Sequence, residues 1–194
     1  MTATVALGDV CEINPRPPRE LDLNDTVSFL PMAAISEEGR IDFEQSRSLS
    51  EVRKGYTYFE RGDVLVAKIT PCFENGKAAL TSSLKRPIGF GSTEFHVIRP
   101  GDQILPEYVF HLLWSEPFRI EGEKNMTGSA GQKRVPADFF RQYKIPLPPM
   151  TAQRRYVHLM SCIQAQMMRH RVAVQSLAEL YQDAQYRAMS GDFH

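Results

Sequence analysis

No glycine or proline interrupts the chain between Pro149 and Gly191. Alternate steps of four and three residues through this segment pick out Tyr156, Met160, Ile163, Met167, His170, Val174, Leu177, Tyr181, Ala184 and Ala188. Nine of these ten positions are apolar or aromatic. An apolar repeat of that period lines one narrow stripe of a helix, the seam of a coiled coil. The flanking positions, among them Arg154, Gln164, Arg169, Arg171, Gln175, Glu179 and Asp183, are polar. A helix from Thr151 to Ser190 spans roughly 60 Å at the helical rise per residue. A domain of this chain's size is narrower than that, so part of the seam calls for a partner helix. The alternative is a long helix lying on its parent domain. His170 is read as a polar seam residue that helps set register.

The segment ahead of this helix, Lys144-Ile-Pro-Leu-Pro-Pro149, is too proline-rich for a helix to cross and predicts an extended linker. It sets an expected boundary between a globular domain at 1–149 and a helix at 150–194. Within the domain, alternating apolar residues predict strands at Val27–Leu30 and Ile41–Phe43, and apolar segments set off by turns and loops predict further strands at Tyr56–Phe59, Val64–Ala67, Ala78–Leu80 and Glu94–Ile98. Helical periodicity appears at Pro106–Trp114, with Pro117 as an interruption before Phe118–Glu121. Strands mixed with helices in this order predict a mixed α/β (α+β) domain followed by a long C-terminal coiled-coil helix.

The hydrophobic share of 42% and charged share of 24% are those of an ordinary globular chain. No window reaches the length of a membrane span, and the N-terminus lacks the pattern of a secretion signal. Cys11, Cys72 and Cys162 are scattered, which fits a reduced, cytoplasmic setting. Net charge is zero, but unevenly spread. Residues 1–50 carry four basic and nine acidic side chains, whereas residues 51–100 carry eight and five. A basic surface, where there is one, begins after residue 50.

Catalysis finds little support. Cys72 with His96 or His111 as base would need an electropositive setting, which Lys68 and Lys77 could supply. The Pro-Cys-Phe context suits a small hydrophobe under a turn equally well. The histidines form neither HxH nor HExxH, none of the seven lysines has a carboxylate two residues ahead of it, and no phosphate-binding GxGxxG or P-loop occurs. No metal or cofactor is expected.

Binding is better supported. Three segments join flexible backbone to donors and acceptors: KITPCFENGK at 68–77, GFGSTE at 89–94 and TGSAGQKR at 127–134. Glycines let backbone N–H groups approach phosphates. Lys68, Lys77, Lys133 and Arg134 are candidates to hold phosphates, while Thr70, Glu74, Asn75, Ser92, Thr93, Ser129 and Gln132 could bond to backbone or base edges.

Taken in order, GDVLVAKITPCFENGKAAL, GFGSTEFHVIRPG, KNMTGSAGQKRVP and IPLPPMTAQRR resemble the specificity subunit of type I restriction-modification enzymes. The likeness runs from Leu7-Gly-Asp-Val10 to the terminal helix. It implies a non-catalytic DNA target recognition domain followed by a conserved helix. A full specificity subunit carries two such units, whose helices pair antiparallel and whose domains read the halves of a split site. This chain resembles a half-size form, which would pair with a second copy or another half through Tyr156, Met160, Ile163, Met167, His170, Val174, Leu177 and Tyr181. The implied partners are double-stranded DNA, the methylation subunits and, in a cleaving complex, the restriction subunit. Where the family often has acidic residues before Gln-Arg, this chain has Met150-Thr-Ala152. A scaffold that binds methylation subunits without reading DNA remains the alternative.

Overall fold

The computed structural model describes residues 3–129 and 131–191 and divides into two compact units, one ending at Gln153 and the other beginning at Arg154. Ten strands and six helices occur among the described residues.

The first unit is built on two four-stranded sheets. One contains β2 (Cys11–Ile13), β6 (Val64–Ala67), β7 (Ala78–Leu80) and β9 (Phe95–Pro100), in the antiparallel order β2-β9-β6-β7. The other contains β3 (Thr26–Leu30), β4 (Gln45–Ser48), β5 (Thr57–Glu60) and β8 (Ile88–Gly91), in the order β4-β3-β8-β5, with β3 and β8 parallel. Both sheets contribute to one core of Leu30, Phe59, Leu65, Ala79, Phe95 and Val97, closed by Ala34, Ile35 and Leu84. The far face of the second sheet holds a smaller core of Val27, Phe29, Tyr58 and Phe90, covered by Leu49 and Val52 of α2 (Leu49–Val52).

Five expected strands recur as read or nearly so: β3, β5, β6, β7 and β9. Ile41–Phe43 does not form one; Ile41 makes only an isolated bridge to Ile35, and the strand lies further on, at β4. The GFG stretch, expected as a mobile loop, is instead strand β8. A Cβ on Gly89 would collide with the Phe59 ring, so the glycine is there for packing. With Phe59 wholly buried on top of it, this backbone is closed to a phosphate.

Helix α3 (Pro106–Trp114) packs on β6, β7 and β9. Pro117 starts rather than breaks a helix: α4 (Glu116–Lys124) begins there, with the proline in its first turn, where no N–H is needed. The helix α5 (Ala137–Gln142) follows. The expected linker is indeed extended, but Lys144–Leu147 is a strand, β10, that pairs antiparallel with β1 (Ala3–Ala6). Between β1 and β2, α1 (Leu7–Val10) packs on α5.

The long helix α6 (Met150–Ser190) begins within the first unit. Its Gln153 is fully buried, with every polar atom of the amide used. Oε1 accepts the Leu105 N–H at 2.9 Å, and Nε2 donates to Gln103 O at 3.0 Å and Pro148 O at 2.9 Å. Beyond it, the second unit is the remainder of this one helix. The seam residues Ile163, Met167, Val174, Leu177 and Tyr181 are exposed there, with Met167 at 66% and Val174 at 65%, an apolar stripe that water covers poorly. No described helix is long and apolar enough to cross a membrane.

Candidate nucleic-acid interface

Backbone pairing brings the three polar segments together. Ala67, the last residue of β6, lies opposite Phe95, the first of β9, so Lys68 and Glu94 meet and the Lys68 N–H donates to Glu94 O at 2.9 Å. The third segment crosses the first: Thr70 N–H donates to Lys133 O at 3.0 Å, and Val135 N–H donates to Lys68 O at 2.9 Å. Thr127 and Arg134 exchange hydrogen bonds at 3.0 and 2.8 Å, closing the intervening residues into a hairpin loop. Ala130 lies outside the described residues.

Side chains fix this junction. Arg134 grips Glu94 with two bonds, Nε to Oε2 at 2.9 Å and Nη2 to Oε1 at 2.8 Å. Those bonds, helped by the charges of Arg134 and Lys68, hold the Glu94 carboxyl below the usual carboxylate range. His96 is buried beneath. Its Nε2–H donates to Val135 O at 2.8 Å, which leaves Nδ1 to accept from Asn14 Nδ2 at 3.0 Å. Burial pulls its pKa down to about 4, so the ring is neutral at physiological pH. With both nitrogens engaged, it is not poised to serve Cys72 as a base.

The first segment is braced from the other side by α4. The Phe73 ring is buried against Phe118, with centroids 5.9 Å apart, and lies where a Cβ on Gly122 would be. The Arg119 guanidinium covers the bare face of Gly76 in the same manner. This cation beside the loop was not foreseen, since nothing in its own sequence context marks it.

The expected site residues divide into two groups. Five already have partners within the protein: Thr70, Glu74, Asn75, Ser92 and Arg134. Glu74 Oε1 accepts from the Thr70 hydroxyl at 2.7 Å while its other oxygen is enclosed, so it presents no edge to a ligand. The Asn75 amide donates to Glu37 at 2.8 Å, and Ser92 Oγ accepts the Glu94 N–H at 3.2 Å. Arg134 is committed to Glu94, which cancels most of the charge it would bring to a phosphate. The others face outward or partly so: Thr93, Ser129, Gln132 and Lys133 are exposed, and Lys68 and Lys77 are half-buried. Neither Lys77 nor Lys133 has an ion-pair partner among the described residues. The result is a convergent surface with cations, hydroxyls and an amide, and with no cluster of three metal-ligating side chains among the described residues. Such a surface suits an anionic polymer better than a small substrate.

Comparison with known proteins gives a consistent picture. Residues 2–172 match the family described as the type I restriction modification DNA specificity domain. The chain is 47% identical over 154 residues to the type I restriction enzyme EcoAI specificity subunit of Escherichia coli, covering 76% of this chain and 25% of that protein. It is 44% identical over 156 residues to the EcoEI specificity subunit of the same organism, covering 79% and 26%. The chain thus spans about a quarter of the length of these curated relatives. Among solved structures, the HsdS subunit from Thermoanaerobacter tengcongensis matches with a TM-score of 0.71 at 25% identity, over 93% of this chain and 46% of that one. A structure described as showing complex assembly and conformational transition of the type I R-M system matches with a TM-score of 0.66 at 26% identity, with the same coverage.

Proposed function

The chain belongs to the type I restriction-modification DNA specificity family, and from that premise we propose that it is a DNA-reading subunit that performs no chemistry itself. It reads one half of a bipartite duplex site and directs methylation subunits, and in a cleaving complex a restriction subunit, to that site. The observation that carries this reading is the convergence of three sequence-distant loops on one surface. That surface presents Lys68, Lys77 and Lys133 as phosphate contacts and Thr93, Ser129 and Gln132 as groups able to reach base edges or sugar. Glu94, Arg134 and His96 act beneath it as positioning residues.

The seam of α6 supports a second copy as partner. Two helices paired antiparallel through Ile163, Met167, Val174, Leu177 and Tyr181 would cover an exposed apolar stripe and place two recognition domains apart. Two-fold symmetry would then make the half-sites identical and inverted, separated by bases that are not read.

Replacing Lys77 and Lys133 with glutamine tests the phosphate assignment. Each phosphate contact contributes about 0.9 to the slope of log affinity against log salt, so the slope should fall by about 2 on any duplex. An unaltered slope would remove both lysines from the interface.

A further inference from the structure

A second basic element lies outside the three-loop surface, the turn Arg53-Lys54-Gly55-Tyr56 between α2 and β5. All four residues are exposed, and neither cation forms an ion pair among the described residues. The carboxylate nearest in sequence, Glu51, is turned back to accept the Ser48 N–H at 3.2 Å. The turn is anchored at its end. The Tyr56 ring meets Phe29 edge-on at 4.9 Å, and the Arg47 guanidinium sits over the same Phe29 ring at 4.3 Å. The turn thus sets two exposed cations beside an anchored aromatic ring.

Strand register shows which way the turn faces. Thr57, the first residue of β5, lies opposite Gly91, the last of β8. The turn therefore enters its sheet at the end where the chain leaves β8 for Ser92-Thr93-Glu94. On the other sheet, Lys68 follows β6 at the end where Glu94 enters β9. The turn, Thr93 and Lys68 thus share one end of the two-sheet body.

We propose that the Arg53–Tyr56 turn is a second phosphate-holding element for the same duplex, gripping its backbone beside the three-loop surface. The inference rests on the DNA-reading proposal. Duplex DNA carries one charge per about 1.7 Å of axis, so a face with cations at two places suits it. The turn fixes orientation and leaves sequence choice to other groups.

The test uses the 194-residue chain, a fluorescently labelled duplex of arbitrary sequence and affinity measured across a salt series. Arg53→Gln with Lys54→Gln should lower the salt slope by about 2. The charge-conserving pair Arg53→Lys with Lys54→Arg should keep the wild-type slope, which separates lost charge from a disturbed fold. If the Lys77/Lys133 variant lowers the slope and the Arg53/Lys54 variant leaves it unchanged, this inference is overturned alone. If the unaltered chain shows no salt-dependent duplex binding at all, the DNA-reading proposal falls with it.

Discussion

Acid should unfasten the recognition domain through His96. In the folded chain the imidazole is buried, donates to Val135 O and titrates at about 4, whereas in the unfolded chain it returns to its ordinary 6.5. The unfolded state therefore binds the proton first as pH falls. The contribution is fully present above 6.5 and is lost as pH drops toward the folded value. The gap corresponds to about 3 kcal/mol in all, of which about 2 kcal/mol disappears between about pH 7 and about pH 5. Glu94, whose carboxyl is held below its usual range, loses its contribution only at lower pH. His111, lowered by burial, acts in the same direction as His96, so a reference variant is needed. His96→Gln retains an amide donor for Val135 O and does not titrate. Trp114, the only tryptophan, lies in the first unit, where its ring stacks on Phe110, and reports urea unfolding of this domain specifically. The wild type should lose about 2 kcal/mol more than the variant over that interval. Parallel losses in the two proteins would refute the reasoning.

Two further outcomes are expected. Gln153→Leu strands the Leu105 N–H and the carbonyls of Gln103 and Pro148, and should destabilise the first unit by about 3 kcal/mol in the Trp114 assay; a change under about 1 kcal/mol would show that solvent replaces these bonds. Polar replacement of Met160, Ile163, Met167, Val174 and Leu177 together should give a monomer in sedimentation with the recognition domain still folded, and a variant that sediments as a dimer would place the contact elsewhere.

The parts of this architecture that could be read from sequence were those with local causes. The short apolar run at Val64–Ala67 after its turn and the periodicity at Pro106–Trp114 are set by neighbouring residues, and the helix after Pro149 is written in its own spacing. What could not be read depended on partners far along the chain. Strand β8 hides behind two glycines that are poor strand formers, Gly89 being required by the Phe59 ring and Gly91 by the Leu30 carbonyl. Strand β10 has two prolines just beyond it and is defined by pairing with β1 at the opposite end of the chain.

The site shows the same division. Its cationic and hydroxyl residues stood out by type within three segments. Their roles were set by contacts across the fold: Arg134 is withdrawn by Glu94, forty positions earlier in sequence, and Asn75 by Glu37. Arg119 and the Arg53–Tyr56 turn belong to no motif and became visible only when register placed their neighbours.

Sequence reading itself is tested most directly by selection. The 194-residue chain, presented with a pool of randomised duplexes, should enrich an inverted bipartite motif with a constant unread interval between its halves. Recovered duplexes with no sequence preference, from a chain that nonetheless binds DNA in low salt, would contradict a recognition role.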